Sequence, residues 1–235
     1  MRETFIRYAN QIINRLPHET YGLPAKYQIN FFPRSYIDNV DWAMAYQREV
    51  YKAASVLINT KKLHRVVDVG CGYGLKLKEF VLPLTKDIIG VDRQPSIRYC
   101  QTHHSFGLWF ADNINLPTLT LSPKPDLIIC ADVIEHLVNP DKLISYLRRF
   151  AHGQTWIVLS TPERDMVRGK NTFGPPPNTA HVREWNKEEL ASYLLAQGLK
   201  IHSHTLVADV EGRHKDTPNR KYGKTCQLVV AQLGQ

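Results

Sequence analysis

Four residues able to hold a nucleoside lie close together in Asp68-Val69-Gly70-Cys71-Gly72-Tyr73-Gly74, which follows the apolar pair Val66-Val67 and precedes an amphipathic stretch. Glycines let a backbone come close to a ligand and turn sharply into a helix. A second apolar run, Ile88-Ile89-Gly90-Val91, ends on Asp92. A carboxylate at the tip of the neighbouring parallel strand can accept both hydroxyls of a ribose, so the pattern reads as a nucleotide-cofactor site. A third run, Leu127 to Ala131, leads into Asp132-Val133-Ile134-Glu135-His136, and His181 follows downstream. Imidazoles at a strand end can take a proton from a hydroxyl, with His136 or His181 as the base. The plainer alternative is that Glu135 and His136 cap a helix and bond to backbone.

These residues need a sheet to gather them. From residue 63 onward, strands are expected at 65–69, 87–91, 107–110, 126–130, 155–160, 201–209 and 225–232, with helices near 74–82, 95–104, 140–151 and 187–197. Such alternation predicts a mostly parallel sheet covered on both faces. The last two strands, joined by 210–224 with no helix between them, should pair as an antiparallel hairpin. Residues 1–62 form a separate, mostly helical segment ahead of a 63–235 domain. Asn39 or Asp41 can cap a helix from Trp42 to about Asn59, with Trp42, Ala45, Tyr46, Val50, Ala53, Ala54 and Leu57 on its apolar face. The aromatic stretches Tyr21–Pro24 and Phe31–Arg34 either cap the cofactor or pack beneath the sheet. Between Thr161 and His181 lie roughly twenty residues without a periodic pattern, which predicts a functional loop arching over an acceptor. Arg164, Arg168, Lys170 and Arg183 would meet an anionic acceptor there, or stand as independently solvated charges.

Spacing separates two kinds of glycine turn. The dinucleotide fingerprint G-x-G-x-x-G needs a glycine where Leu75 stands. The observed G-x-G-x-G behind an acid resembles motif I of the class I S-adenosylmethionine (AdoMet) methyltransferases. That resemblance covers about residues 63–235. It implies a Rossmann-like α/β fold with a seven-stranded, mostly parallel sheet whose last strand is antiparallel. It also implies cofactor contacts from Asp68, from the turn Gly70, Cys71, Gly72, Tyr73 and Gly74, and from Asp92 with Arg93. Asp112 with Asn113 and Ala131 with Asp132 complete the set. Asp68 would face the methionine ammonium, and Asp112 the adenine amino group with the next backbone amide alongside. A locally bonded turn aspartate is the alternative for Asp112.

Small-RNA 2′-O-methyltransferases and ubiquinone-pathway O-methyltransferases carry a carboxylate-x-x-Glu-His string after strand four. In the RNA enzymes a later His, shortly before a Glu-Trp pair that opens a helix, completes a divalent-metal site. By that resemblance Asp132, Glu135, His136 and His181 are the ligands, and Mg²⁺ or Mn²⁺ the ion. Asp132 is one methylene shorter than the usual glutamate, and the second histidine common beside the downstream ligand is absent. The stretches Ser160–Asp165, Gly174-Pro175-Pro176 and His181–Trp185 resemble methyltransferases of glycan and glycosylated-metabolite pathways. They imply O-methylation of a sugar hydroxyl, including one on an anionic nucleotide- or lipid-linked sugar. Methylation of an RNA ribose 2′-hydroxyl, a metal-free small-molecule O-methyltransferase and a non-catalytic cofactor-binding module are the alternatives.

The 235 residues carry a formal charge of +8, densest from Arg213 to Lys224. That balance favours anionic partners, although no Arg-rich tail or aromatic-interleaved basic motif accompanies it, which makes nucleic acid the lesser expectation. Cys71, Cys100, Cys130 and Cys226 form no C-x-x-C pair. Reduced, packed thiols follow, without disulfide or zinc. No apolar run approaches the ~20 residues of a membrane span, and Met1-Arg2-Glu3-Thr4 does not open a signal peptide; a cytoplasmic location is expected.

Overall fold

Val66–Val69 is buried at every position, as a short apolar strand must be when both faces of its sheet are covered. In the computed structural model, which describes residues 2–16, 18–35, 39–210 and 223–234, this strand (β1) pairs in parallel with β2 (Ile88–Asp92) and β4 (Leu127–Ala131). β3 (Leu108–Ala111), β5 (Trp156–Pro162), β6 (Leu199–Ala208) and β7 (Lys224–Leu233) complete a seven-stranded sheet in the order β3-β2-β1-β4-β5-β7-β6. β7 runs antiparallel to both β5 and β6, so the expected hairpin and antiparallel last strand are present. The chain steps outward from β1 to β3, then returns to β4 on the other side. That reversal opens a crevice outside the carboxyl ends of β1 and β4, where α/β sheets bind ligands.

The helices are α1 (Arg2–Ile13), α2 (Val40–Ala43), α3 (Arg48–Lys61), α4 (Gln94–His103), α5 (Asp141–Phe150), α6 (Arg164–Arg168) and α7 (Lys187–Ala196). Leu143, Ile144, Leu147 and Phe150 make one stripe of α5 and pack with Leu190 and Leu194 of α7 against Val67, Ile128 and Ile157. Val50, Tyr51, Ala54 and Ile58 of α3 and Ile97 and Cys100 of α4 cover the opposite face with Val66, Ile88 and Ile129. All four cysteines are buried and free. Among the described residues no helix is long and apolar enough to cross a membrane.

Three elements differ from expectation. The helix expected over 74–82 is mostly one wide π-helical turn, Leu77–Val81, closed by Leu82 N donating to Leu77 O. The helix expected from Trp42 to Asn59 is broken between α2 and α3. Gln47 there adopts φ 62°, its amide donates to Asp209 O, and its side chain donates to Ala131 O and Asp132 Oδ2, so tertiary bonds replace helical ones. The 162–181 loop, finally, is not structureless. It opens with α6 and is stitched to the N-terminal segment: Gln28 N donates to Phe173 O, Asn30 N to Val182 O and Arg34 N to Thr179 O. That segment packs into the core and also reaches the crevice. Leu23, Tyr27 and Ile29 join the buried cluster beside α5 and α7, while Pro33 and Arg34 line the crevice. Most of the dense basic stretch, Arg213 to Tyr222, lies outside the described residues.

Candidate active site

The crevice encloses about 1030 Å³. Its floor is the glycine turn, and the backbone at Gly70 (φ 84°) favours glycine, because an added Cβ would be strained there and sit 2.3 Å from Val133 Cγ2, forcing that side chain to move. Gly72 N donates to Asp92 Oδ2 (2.8 Å) and Arg93 N to Oδ1 (2.6 Å), which fixes that carboxylate at the tip of β2. Of the residues expected to bind the cofactor, Gly70, Cys71, Gly72, Tyr73, Asp92, Arg93, Asp112, Asn113, Ala131 and Asp132 line the crevice.

Asp68 and Gly74 do not line it. Gly74 (φ 68°) is needed for packing, since an added Cβ would lie 2.6 Å from the Trp109 ring. Asp68 is fully buried beneath the turn, where α3 covers it and Tyr51 OH donates to its Oδ2 (2.7 Å). Asp68 is thus not on the crevice wall where it was expected to meet a cofactor ammonium. Its Oδ1 has no hydrogen-bond partner. Burial pushes its pKa up to about 7, against the lowering effect of the Tyr51 hydroxyl and Lys76. Asp112 keeps its place but loses its expected role. Burial alone would raise its pKa, yet Thr118 N and Oγ1 donate to Oδ1, Leu119 N and Tyr146 OH donate to Oδ2, and the net shift is downward. A carboxylate accepts about four hydrogen bonds, so this one is saturated as a turn aspartate.

Beyond the turn, Glu135, His136 and His181 each offer one ligand atom within 4.8 Å of the others. A 3₁₀ turn, Ile134–His136, presents the first two, and Val182 N donating to Glu135 O (2.7 Å) holds the third beside them. Glu135 is fully buried; Thr161 Oγ1 donates to Oε2 (3.0 Å) and Oε1 has no partner. Burial, then Asp132, pushes its pKa well up. His136 Nδ1 lies 2.9 Å from Ala180 O, and because a carbonyl only accepts, the proton is on Nδ1 and the lone pair on Nε2. Burial and the adjacent His181 lower its pKa to about 4, so it is neutral. His181 Nδ1 is 2.8 Å from Glu184 Oε1 by the same logic, and its Nε2 accepts from Asn178 Nδ2 (2.9 Å). The two rings meet edge to face, 4.9 Å between centroids.

Asp132 stands apart from this cluster. Its backbone is left-handed (φ 53°), and its carboxylate accepts from Ser160 Oγ (2.5 Å) and Gln47 Nε2 (3.0 Å), which corrects its expected place as a metal ligand. Glu184, Asn178 and Gln47 went unassigned in the sequence. The His-x-x-Glu spacing of His181 and Glu184 was the available signal for the first; nothing local marks Gln47.

Three of the four loop cations are corrected too. Arg164 is buried and pairs with both oxygens of Glu189 (2.6 and 2.9 Å). Arg168 bonds to Glu184 and to Gly174 O and Pro175 O. Arg183 donates to Leu137 O and Val138 O and stacks over Tyr21. Each is neither solvated nor directed at an acceptor, and Lys170 alone of the four is exposed.

A family model described as "Methyltransferase domain" matches residues 28–204. The ubiquinone biosynthesis O-methyltransferase of Paraburkholderia phymatum is 25% identical over 180 residues, covering 71% of this chain and 75% of that protein. The methyltransferase domain of bacterial-CtHen1-C superimposes with a TM-score of 0.59 at 17% identity, over 80% of this chain and 98% of that one. A S-adenosylmethionine-dependent methyltransferase from Clostridium acetobutylicum gives 0.56 at 14%, over 79% and 92%. The likenesses to solved structures concern the fold.

Proposed function

The chain belongs to the class I AdoMet-dependent methyltransferases, and from that premise we propose that it methylates an alcohol hydroxyl at the Glu135, His136 and His181 cluster. AdoMet supplies the methyl group as a sulfonium. Asp92, at the tip of β2 beside the glycine turn, is the ribose partner in this reading, with Arg93, Tyr73, Asn113 and Ala131 along the same wall. Residues 1–62 act as a cap over the 63–235 domain.

One observation carries the choice of acceptor chemistry. Glu135, His136 and His181 each offer a ligand atom within 4.8 Å of the others, Ala180 O and Glu184 Oε1 engage the two Nδ1 nitrogens, and Glu135 Oε1 has no hydrogen-bond partner. That donor set, one carboxylate and two imidazoles, fits a borderline divalent ion such as Mn²⁺ better than the oxygen-seeking Mg²⁺. A bound ion would lower the pKa of a coordinated hydroxyl, which is otherwise a poor nucleophile at neutral pH. Glu184 orients His181, Thr161 orients Glu135, and the loop 173–182 shields the site from water. A metal-free reading has its own support: His181 Nε2 already accepts a proton donor, Asn178, as a general base would accept a hydroxyl.

The acceptor we favour is a sugar hydroxyl. Burying Arg164, Arg168 and Arg183 in internal pairs takes three charges away from the acceptor side, which favours this over an RNA ribose. The reading includes a cytoplasmic setting. A tritiated-methyl transfer screen against sugar nucleotides, glycosides, catechols and short RNAs, with and without Mg²⁺ or Mn²⁺, tests it. Transfer to glycosides that EDTA abolishes supports the full proposal; EDTA-resistant transfer leaves the histidine base, and transfer to RNA alone overturns the sugar.

A further inference from the structure

α1 shows solvent an apolar stripe. Phe5, Tyr8, Ile12 and Leu16 are 71%, 64%, 45% and 57% exposed, and their spacing of three, four and four residues puts them on one side of the helix and of the turn that extends it. The other side is clamped. Asn14 donates to Ile29 O and accepts from Ile29 N, while Asn10 donates to Asn30 Oδ1 and accepts from Phe31 N. The stripe is thus held outward by the same helix that could have turned it in.

We propose that this face seats on an anionic lipid surface. Charge argues for that occupant: Arg15, exposed on the turn that extends α1, borders the stripe, Arg7 is exposed on the helix away from it, and the chain carries +8 overall. An apolar stripe bordered by a cation lies in the interface plane of a bilayer and gains from anionic headgroups. The same charge opposes a second copy, which would bring two +8 chains together. Position adds a consequence. Glu3 of α1 pairs with Arg34 at the crevice wall, and Asn30, held by Asn10, donates to His181 O and Thr179 O. A membrane under α1 would lie beside the crevice mouth, so the acceptor presented there is lipid-linked; that last clause rests on the proposed O-methyltransferase function, whereas the docking does not.

The test is flotation of the full chain with phosphatidylcholine vesicles made with and without phosphatidylglycerol, at low and high salt. The chain should float only with the phosphatidylglycerol vesicles, and less at high salt. Phe5→Ser/Ile12→Ser should lower the floated fraction about tenfold, and Arg15→Glu, on the exposed surface, should lower it several-fold while AdoMet affinity by calorimetry stays as in wild type. No flotation overturns the proposal, as does flotation indifferent to these substitutions. A dimer in light scattering that Phe5→Ser/Ile12→Ser separates, or a protein captured by the face in place of lipid, overturns it in favour of that occupant. Vesicle binding by a chain that fails to bind AdoMet would sink the enzymatic reading and leave this one standing.

Discussion

Glu184 lies three residues past His181 and decides which nitrogen carries the proton. Replacing it with glutamine keeps the size but removes the charge that both His181 Nδ1 and Arg168 engage. Such partners of a ligating or basic histidine are worth roughly 10–100-fold, so Glu184→Gln should lower kcat by that factor with AdoMet affinity unchanged, read by steady-state kinetics and calorimetry. Asp92→Ala should do the reverse. It removes the carboxylate proposed to accept two ribose hydroxyls and should weaken AdoMet by about 1.5–3 kcal/mol; calorimetry showing equal affinity would remove the ribose assignment. Asp92 was legible because a strand followed by an acid and a glycine turn before it is a local pattern. The saturation of Asp112 was not, since its four donors include Tyr146, which only tertiary folding brings near. Asp132 misled for a similar reason: its side chain is claimed by Ser160 and Gln47, 28 and 85 residues away.

Elements were legible where their own residues define them. α7 begins at Asn186 because Asn186 and Glu189 make a reciprocal capping box, visible in the sequence as N-x-x-E. The short α6 was not, for its anchor is long-range. Arg164, buried with its side chain 2% exposed, holds both Glu189 oxygens and thereby locks α6 to the start of α7. Removing one member of a buried pair strands the other, so Arg164→Met should cost about 3 kcal/mol in urea unfolding. Glu189 would keep its capping bond to Asn186 N, which makes α7 survive while α6 and the loop to His181 loosen. Hydrogen exchange that quickens over 164–181 but not over 187–196 checks the assignment. An undiminished unfolding free energy would show that the ion pair does not hold the loop.

At the scale of the whole molecule, the alternation of apolar runs made the mostly parallel sheet legible because parallel strands buried on both faces must be continuous and apolar, whereas the irregular N-terminal segment carried no such period; the strand order came only from the fold. The same burial that makes β1 readable puts Asp68 inside it, and this links stability to pH. Its pKa of about 7 in the fold exceeds the ordinary value of 3.8. Between those two values the folded chain keeps a proton that the unfolded chain releases, so the contribution of Asp68 to stability is most favourable below about pH 4 and falls as pH rises through about 7. Each unit of the shift is worth about 1.4 kcal/mol, a total of a few kcal/mol by neutral pH. Asp68→Asn cannot ionise, keeps a side-chain oxygen for the Tyr51 hydroxyl, and should flatten the wild-type decline across that window. Urea unfolding of both chains at about pH 5 and about pH 8 measures it: a gap in favour of the variant that widens with pH is expected, and parallel curves would mean that the carboxylate is solvated or paired. A cation in the crevice above favours the ionised form, so AdoMet affinity in wild type should rise over the same interval and that of the variant should stay level.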